Sequence, residues 1–187
     1  VGLLDYVADH SGPVMADHVL AVLRKLFNWH AARDDDFRSP IVMGMARTRP
    51  RDLARDRTLN DDEIRRIWNA LGDAAYPFAP LVKLMFFTAQ RRQEVAEARW
   101  SEFDDGVWTI PVERYKTKRP NVVPLPQAAS ALVEELPRLG DLLFTTSGKT
   151  PFSGFSKAKK HLDEVSGVSD WRLHDIRRTS RTLMVRA

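Results

Sequence analysis

Three short segments of the chain carry basic side chains at spacings that suit the binding of a phosphate group. They contain, in chain order, Arg91 with Glu94, Lys116, and His174 with Arg177. Side chains three residues apart in a helix share a face, so His174 and Arg177 are predicted to lie side by side. A guanidinium is always charged and donates two parallel hydrogen bonds, which suits the oxygens of a phosphodiester under attack. The set indicates phosphoryl-transfer chemistry.

In this order, the segments Thr88–Val95, Tyr115–Lys118 and His174–Thr179 resemble the tyrosine site-specific recombinases, the phage integrase family. In that family, an Arg followed three residues later by an acid, a Lys on a β-hairpin and a His-x-x-Arg surround one phosphodiester. The resemblance is specific because it is ordered and has three parts, whereas any one part alone would be weak. It implies the following catalytic residues: Arg91, Lys116, His174 and Arg177.

The resemblance also implies individual roles. A carboxylate beside the scissile phosphate would repel that phosphate, so Glu94 is expected to orient Arg91 rather than to contact the substrate. Lys116 is the expected general acid for the leaving 5′-oxygen, with Lys118 as the alternative. His174 can donate to a phosphate oxygen or help to move a proton. Arg92 follows Arg91 and Arg178 follows Arg177, and the spacing in the family selects the first Arg of each pair.

The reaction implied by the resemblance is a transesterification. A Tyr hydroxyl attacks the phosphodiester, a 3′-phosphotyrosyl bond forms, and a 5′-hydroxyl of a partner strand reverses it, without metal or other cofactor. In the family this Tyr follows the His-x-x-Arg, but the tyrosines here are Tyr6, Tyr76 and Tyr115. The active site is therefore expected to be incomplete, and these 187 residues are expected to be unable to cleave DNA.

Two other functions stay open on the sequence. A non-catalytic DNA-binding derivative of the same fold is one, although binding alone would not require all four expected catalytic residues. A type IB topoisomerase, which shares the phosphotyrosine chemistry, is the other. A helical segment before the basic stretch at residues 47–58 favours an integrase that inserts or excises a mobile element.

Composition excludes several classes of function. The chain has no Cys, which rules out disulfide frameworks and Cys-based zinc sites, and no apolar run is long enough to span a membrane. We find no convincing metal site either, because the acids Asp61, Asp62 and Glu63 suit a helix start. A soluble cytoplasmic protein, encoded by a bacterium or a phage, is expected.

The formal net charge of +4 is modest, but the basic residues are clustered. Such clusters favour a polyanion, and the resemblance identifies it as double-stranded DNA bound by a homotetramer. Besides the catalytic set, the residues expected to bind DNA are Arg47, Arg49, Arg51, Arg55, Arg57, Arg92, Lys118 and Arg178.

The predicted fold is mixed α/β and mainly helical, with a small antiparallel sheet. Residues 1–46 resemble the end of a helical core-binding domain, 47–58 a basic linker, and 59–187 a catalytic domain that is incomplete at its C-terminus.

Periodicity places the chemistry on predicted elements. A core helix over Phe78–Ala89 delivers Arg91, and a helix over Leu173–Val185 carries the His-x-x-Arg. Strands at Val107–Pro111 and Asn121–Leu125 form the hairpin around Lys116.

Further elements are predicted around these. Asn60 caps a helix, and a short strand is expected at Leu142–Phe144. Other helices are expected near 13–39, 93–99, 127–136 and 156–165. In the first of these, Met15, Val19, Val22, Leu23 and Leu26 are expected to form the buried face.

Overall fold

The computed structural model describes residues 2–49, 51–52, 55–115 and 119–186. The chain divides into two compact units, Val1–Arg55 and Asp56–Ala187. The helices are α1 Gly2–Ser11, α2 Pro13–Ala31, α3 Asp61–Ala70, α4 Phe78–Thr88, α5 Arg92–Ala96, α6 Gln127–Glu134, α7 Phe155–Ser166 and α8 Leu173–Arg186. The strands are β1 Phe103–Asp104, β2 Val107–Ile110 and β3 Asn121–Pro124. The predicted fold class, mainly helical with a small antiparallel sheet, is confirmed.

The first unit is a helical hairpin formed by α1 and α2. The predicted helix is present, but it ends at Ala31. Its predicted buried face is wrong at three positions, whereas Val19 and Leu23 are partly buried. Met15, Val22 and Leu26 are exposed, whereas Ala16 and Leu20 are buried. The apolar residues of α2 surround much of the helix, so periodicity alone could not choose the stripe that α1 covers.

Helix α4 is the centre of the second unit and packs against α5, α6 and α8. As predicted, it is a core helix, and Leu81, Val82, Leu84 and Met85 are fully buried. The helix ends because Ala89 adopts a left-handed conformation (φ 52°) while its N–H still bonds to the Met85 carbonyl at 2.9 Å. Arg91 follows directly after this turn, so the position of the core helix determines the position of the Arg91 backbone.

The start of α3 is fixed by a capping box, as the sequence predicts. The Asn60 side chain accepts a hydrogen bond from the Glu63 N–H at 2.9 Å, and Glu63 Oε2 accepts one from the Asn60 N–H at 2.9 Å. Glu63 Oε1 also forms an ion pair with Arg57. These carboxylate contacts account for the acidic helix start through capping and pairing.

The sheet is a three-stranded meander in the order β1-β2-β3. Asp105 and Gly106, with φ of 41° and 72°, form the turn between β1 and β2, a backbone shape that favours Gly at such positions. Antiparallel pairing joins Val107–Ile110 to Asn121–Pro124, which confirms the predicted hairpin. Strand β1 was not predicted, because two residues are too few for an alternating pattern.

Two local predictions are corrected. Leu142–Phe144 forms no strand in the described chain and makes only a single β-bridge, between Leu142 and Arg99. The segment is nevertheless buried, because its apolar side chains fill the core without a ladder. Helix α5 ends at Ala96 rather than near Arg99, and a short 3₁₀ turn follows at Trp100–Glu102.

Buried polar contacts hold the base of the hairpin. Glu102 Oε2 accepts a hydrogen bond from Trp108 Nε1 at 3.0 Å and forms an ion pair with Arg114. Arg114 also donates to the Glu94 carbonyl at 3.2 Å. Both side chains of the Arg114–Glu102 pair are largely buried, so the pair holds Arg114 against the 3₁₀ turn. The bond from Arg114 to the Glu94 carbonyl ties the end of the hairpin to α5.

Candidate active site

Arg91 lies at the junction of α4 and α5, where it directly precedes the first turn of α5. One of its guanidinium nitrogens donates to Glu94 Oε1 at 2.6 Å, and its backbone N–H donates to Glu94 Oε2 at 2.8 Å. Glu94 is buried, whereas the Arg91 side chain keeps about a third of its surface exposed at 36%. The hydrogen bond to Glu94 is the main reason that the pKa of Arg91 is raised. The carboxylate therefore faces Arg91 while the guanidinium stays accessible.

Arg177 approaches the same junction from α8. Its guanidinium donates to the Ala89 carbonyl and contacts Gln90 Oε1 at 3.5 Å. Burial lowers the pKa of Arg177, and the positive charge of Arg91 lowers it further. The charges of Arg91 and Arg177 therefore repel each other, and an anion bound at the junction would relieve this repulsion.

His174 lies one turn before Arg177 on α8 and is exposed. It lines a surface cavity together with Arg91 and a second cavity together with Arg177. The start of α8 is fixed by Asp175, which is buried and accepts a hydrogen bond from the Arg172 N–H at 2.9 Å. The His-x-x-Arg therefore stands on a capped helix, where an imidazole and a guanidinium share one face.

Both ends of the hairpin connection contact this junction. The Tyr115 ring lies 5.6 Å from the Arg91 guanidinium carbon, and Asn121 Nδ2 donates to Gln90 Oε1 at 3.0 Å. Lys116 and Lys118 lie outside the described residues. Gln90 and Tyr115 are site residues that sequence reasoning missed; their adjacency to Arg91 and Lys116 was the only available signal.

The tyrosines differ in their surroundings. Tyr76 donates its hydroxyl to the Leu143 carbonyl at 2.7 Å, and the same oxygen accepts from the Thr145 N–H at 3.3 Å. Tyr6 stacks on His10 within α1. Tyr115 packs against the core and lies beside Arg91. Each of the three therefore already has a packing or hydrogen-bonding role in the fold.

The structure separates the arginines that sequence reasoning assigned to DNA binding. Arg47 forms an ion pair with Asp5, Arg57 with Glu63, and Arg178 with Asp175.

The arginines of that set also differ in exposure. Arg49 and Arg51 are exposed, and Arg55 is half-buried. Arg92 is exposed and holds its guanidinium carbon 4.7 Å from the centre of the Phe155 ring. Exposed cations keep their charge available to a ligand, whereas paired ones are partly neutralised.

The described residues contain no group of three or more His, Asp or Glu side chains that could hold a metal ion. They also contain no helix that is long and apolar enough to cross a membrane. The junction itself holds two guanidinium groups, those of Arg91 and Arg177. Such an arrangement can bind a phosphate and stabilise the charge that develops on its oxygens.

Comparison with known proteins gives a family and a fold. Residues 57–187 match the model of the phage integrase family. A lambda integrase (75-356) dimer bound to a COC′ core site is similar, with a TM-score of 0.77 and 19% identity over 97% of this chain and 70% of the other. A lambda integrase tetramer bound to a Holliday junction has a TM-score of 0.77 and 19% identity, covering 99% of this chain and 56% of that one.

A third similar structure is the XerH site-specific recombinase bound to difH substrate in a pre-cleavage complex. Its TM-score is 0.71 and its identity 17%, covering 98% of this chain and 59% of the other. The chain thus spans little more than half of the length of several structures that it matches. No curated protein sequence is significantly similar to this chain.

Proposed function

Because the chain belongs to the phage integrase family, we propose that it provides the phosphate-binding part of a tyrosine recombinase, which inserts or excises a mobile element by cutting and rejoining DNA strands. The observation that carries this proposal is the pair Arg91 and Arg177, held at one junction by α4 and α8. Arg177 is distant from residues 89–91 in the sequence, and only the fold brings it close to them. Both Arg91 and Arg177 carry a positive charge. A scissile phosphate between them would receive donors from two sides.

The remaining roles follow from this placement. Glu94 holds the Arg91 guanidinium in position, and His174 donates to a phosphate oxygen. Lys116 protonates the leaving 5′-oxygen from the hairpin connection, whose neighbours Tyr115 and Asn121 contact the junction. A Tyr hydroxyl attacks the phosphorus, so the 3′-phosphate becomes bonded to Tyr as the 5′-hydroxyl leaves. No metal enters these steps.

We propose the corresponding assembly for the whole protein. Residues 1–46 form part of a core-binding domain, 47–58 follow the DNA backbone as a linker, and 59–187 form part of the catalytic domain. Double-stranded DNA is the substrate, and the working form is a homotetramer. The lambda integrase tetramer bound to a Holliday junction supports this assembly. We place the assembly in the cytoplasm.

A suicide DNA substrate that carries the cognate site tests the proposal. A polypeptide of residues 1–187 should bind it without forming a denaturant-resistant complex. A chain extended through a helix with a nucleophilic Tyr should form that complex. An adduct mapped to Tyr6, Tyr76 or Tyr115 would contradict our assignment, and binding without any adduct by the extended chain would favour the non-catalytic alternative.

The general acid has its own test in the extended chain. Lys116→Ala should slow cleavage strongly, and a substrate whose leaving 5′-oxygen is replaced by sulfur should restore much of the rate, because a thiolate leaves without a proton. Lys118→Ala is the matched control and should need no rescue. Rescue of Lys118→Ala alone would move the role to Lys118, and rescue of neither would remove the general-acid assignment.

A further inference from the structure

The cavity that His174 lines together with Arg91 opens beside the junction, on the side of Arg91 that faces α7. It has a volume of about 500 Å³ and lies between the start of α5, one face of α7 and the segment before α8. The residues that carry its chemistry are Arg91, Arg92, Ser156, Lys159, Arg172 and His174. Four of these are Arg or Lys, and none of the described residues that line the cavity is acidic. The cavity is therefore suited to an anion.

The Lys159 side chain is fixed before any ligand arrives. Its ammonium group lies 3.9 Å from the centre of the Trp171 ring and donates to both carboxylate oxygens of Asp163 at 2.6 Å. Trp171 is itself fixed, because it is buried and its indole N–H donates to the Val168 carbonyl at 3.2 Å. Lys159 thus loses little conformational freedom when it binds an anion.

Arg92 and Arg172 supply the other charges outside the proposed catalytic set. The Arg92 guanidinium rests over the Phe155 ring, so it too has a preferred position. Arg172 is exposed, and its guanidinium forms no ion pair within the described part of the chain. Asp163 offsets one charge, so the cavity keeps a positive excess that its own partners do not cancel.

We propose that this cavity binds a second phosphate of the DNA strand, adjacent to the scissile one, with Lys159 and Arg172 as its principal ligands. The inference rests on the proposed function, because Arg91 and His174 belong both to the scissile-phosphate site and to this cavity. Consecutive phosphates of one strand are covalently linked, so a strand held at the first site brings its neighbour to the second. By holding the second phosphate, the cavity fixes which phosphate of the DNA strand occupies the scissile site. We assign no catalytic step to the cavity.

The experiment measures the affinity of the 187-residue chain for a duplex DNA of arbitrary sequence as a function of salt. Lys159→Ala should weaken binding by about 10-fold and reduce the slope of log K against log salt by about one, the value for one phosphate contact. Arg172→Ala should do the same. Lys160→Ala is the matched control, because Lys160 lies next to Lys159 on α7, is 81% exposed and does not line the cavity.

A second measurement distinguishes a local role of Lys159 from misfolding of the variant. It also distinguishes DNA from free phosphate as the ligand of the cavity. The Trp171 indole N–H resonance of the parent chain should shift on addition of DNA, and Lys159→Gln should abolish the shift while the other Trp resonances stay in place. Inorganic phosphate at equal anion concentration should produce no comparable shift; if it saturates the same shift, the site serves a free phosphate instead.

Equal slopes and affinities for Lys159→Ala and Lys160→Ala would overturn the second phosphate site while leaving the proposed function intact. Failure of the parent chain to bind duplex DNA would overturn both.

Discussion

At the residue scale, the central contact is the one between Arg91 and Glu94. Glu94→Gln keeps the size of the side chain and an acceptor oxygen but removes the negative charge that faces Arg91 at 2.6 Å. A hydrogen bond to a charged group contributes about 1.5–3 kcal/mol, so we expect strand cleavage by the Tyr-extended chain to fall by roughly 10- to 100-fold. The measurement is the single-turnover cleavage rate at saturating DNA.

The matched control for this change is Glu97→Gln, one turn further along the chain. Glu97 is partly exposed and lies 3.9 Å from Arg114, so its charge should contribute little to cleavage. Equal losses for the two variants would show that Glu94 acts through the general charge of the region and not by orienting Arg91.

At the element scale, one carboxylate joins α3 to the residues before it. Glu63 accepts from Asn60 and pairs with Arg57, and the Arg57 hydrogen bond is the main cause that lowers the pKa of Glu63 below its ordinary value of 4.5. Since the folded-state pKa lies below the unfolded one, the ionised group stabilises the fold above pH 4.5, and this contribution is lost as the pH falls through the folded-state pKa.

Glu63→Ala should therefore destabilise the protein at pH 7 by about 1 kcal/mol or more, the value of a helix cap. The melting temperature should fall by about 2–4 °C, and the difference from the parent should shrink as the pH is lowered below 4.5. Asp62→Asn is the control, because Asp62 is 83% exposed and its pair with Arg65 is a surface contact. A difference that stays constant with pH would show that the ion pair with Arg57 contributes nothing.

At the scale of the whole molecule, the arginines of the basic stretch at residues 47–58 differ in their surroundings. Arg49 and Arg51 are exposed, whereas Arg47 and Arg57 form ion pairs. Neutralising Arg49 and Arg51 together should reduce the salt slope of DNA binding by about two. Neutralising Arg65 and Lys160, which are 67% and 81% exposed on α3 and α7, should leave the slope unchanged. Equal slopes for all these variants would place the linker off the DNA.

The local features of this protein follow from short-range patterns in its sequence. The capping box at Asn60, the turn at Asp105–Gly106, the core helix before Arg91 and the helix of the His-x-x-Arg depend on neighbours within a few residues, so pattern and spacing could predict them. The order of the three basic segments was also sufficient to identify the family, because a motif is a property of the chain.

Contacts between segments that are distant in the sequence could be seen only in the folded protein. Arg177 reaches the Ala89 carbonyl across 88 residues, and Tyr115 lies over Arg91, contacts that no local pattern contains. Packing also chose Ala16 and Leu20 as the buried stripe of α2. Packing also places carboxylates beside Arg57 and Arg178, and the residue type alone does not distinguish these two from Arg49 and Arg51. The charge of an Arg is fixed by its chemistry, but whether that charge is available to a ligand depends on which acids the fold places beside it.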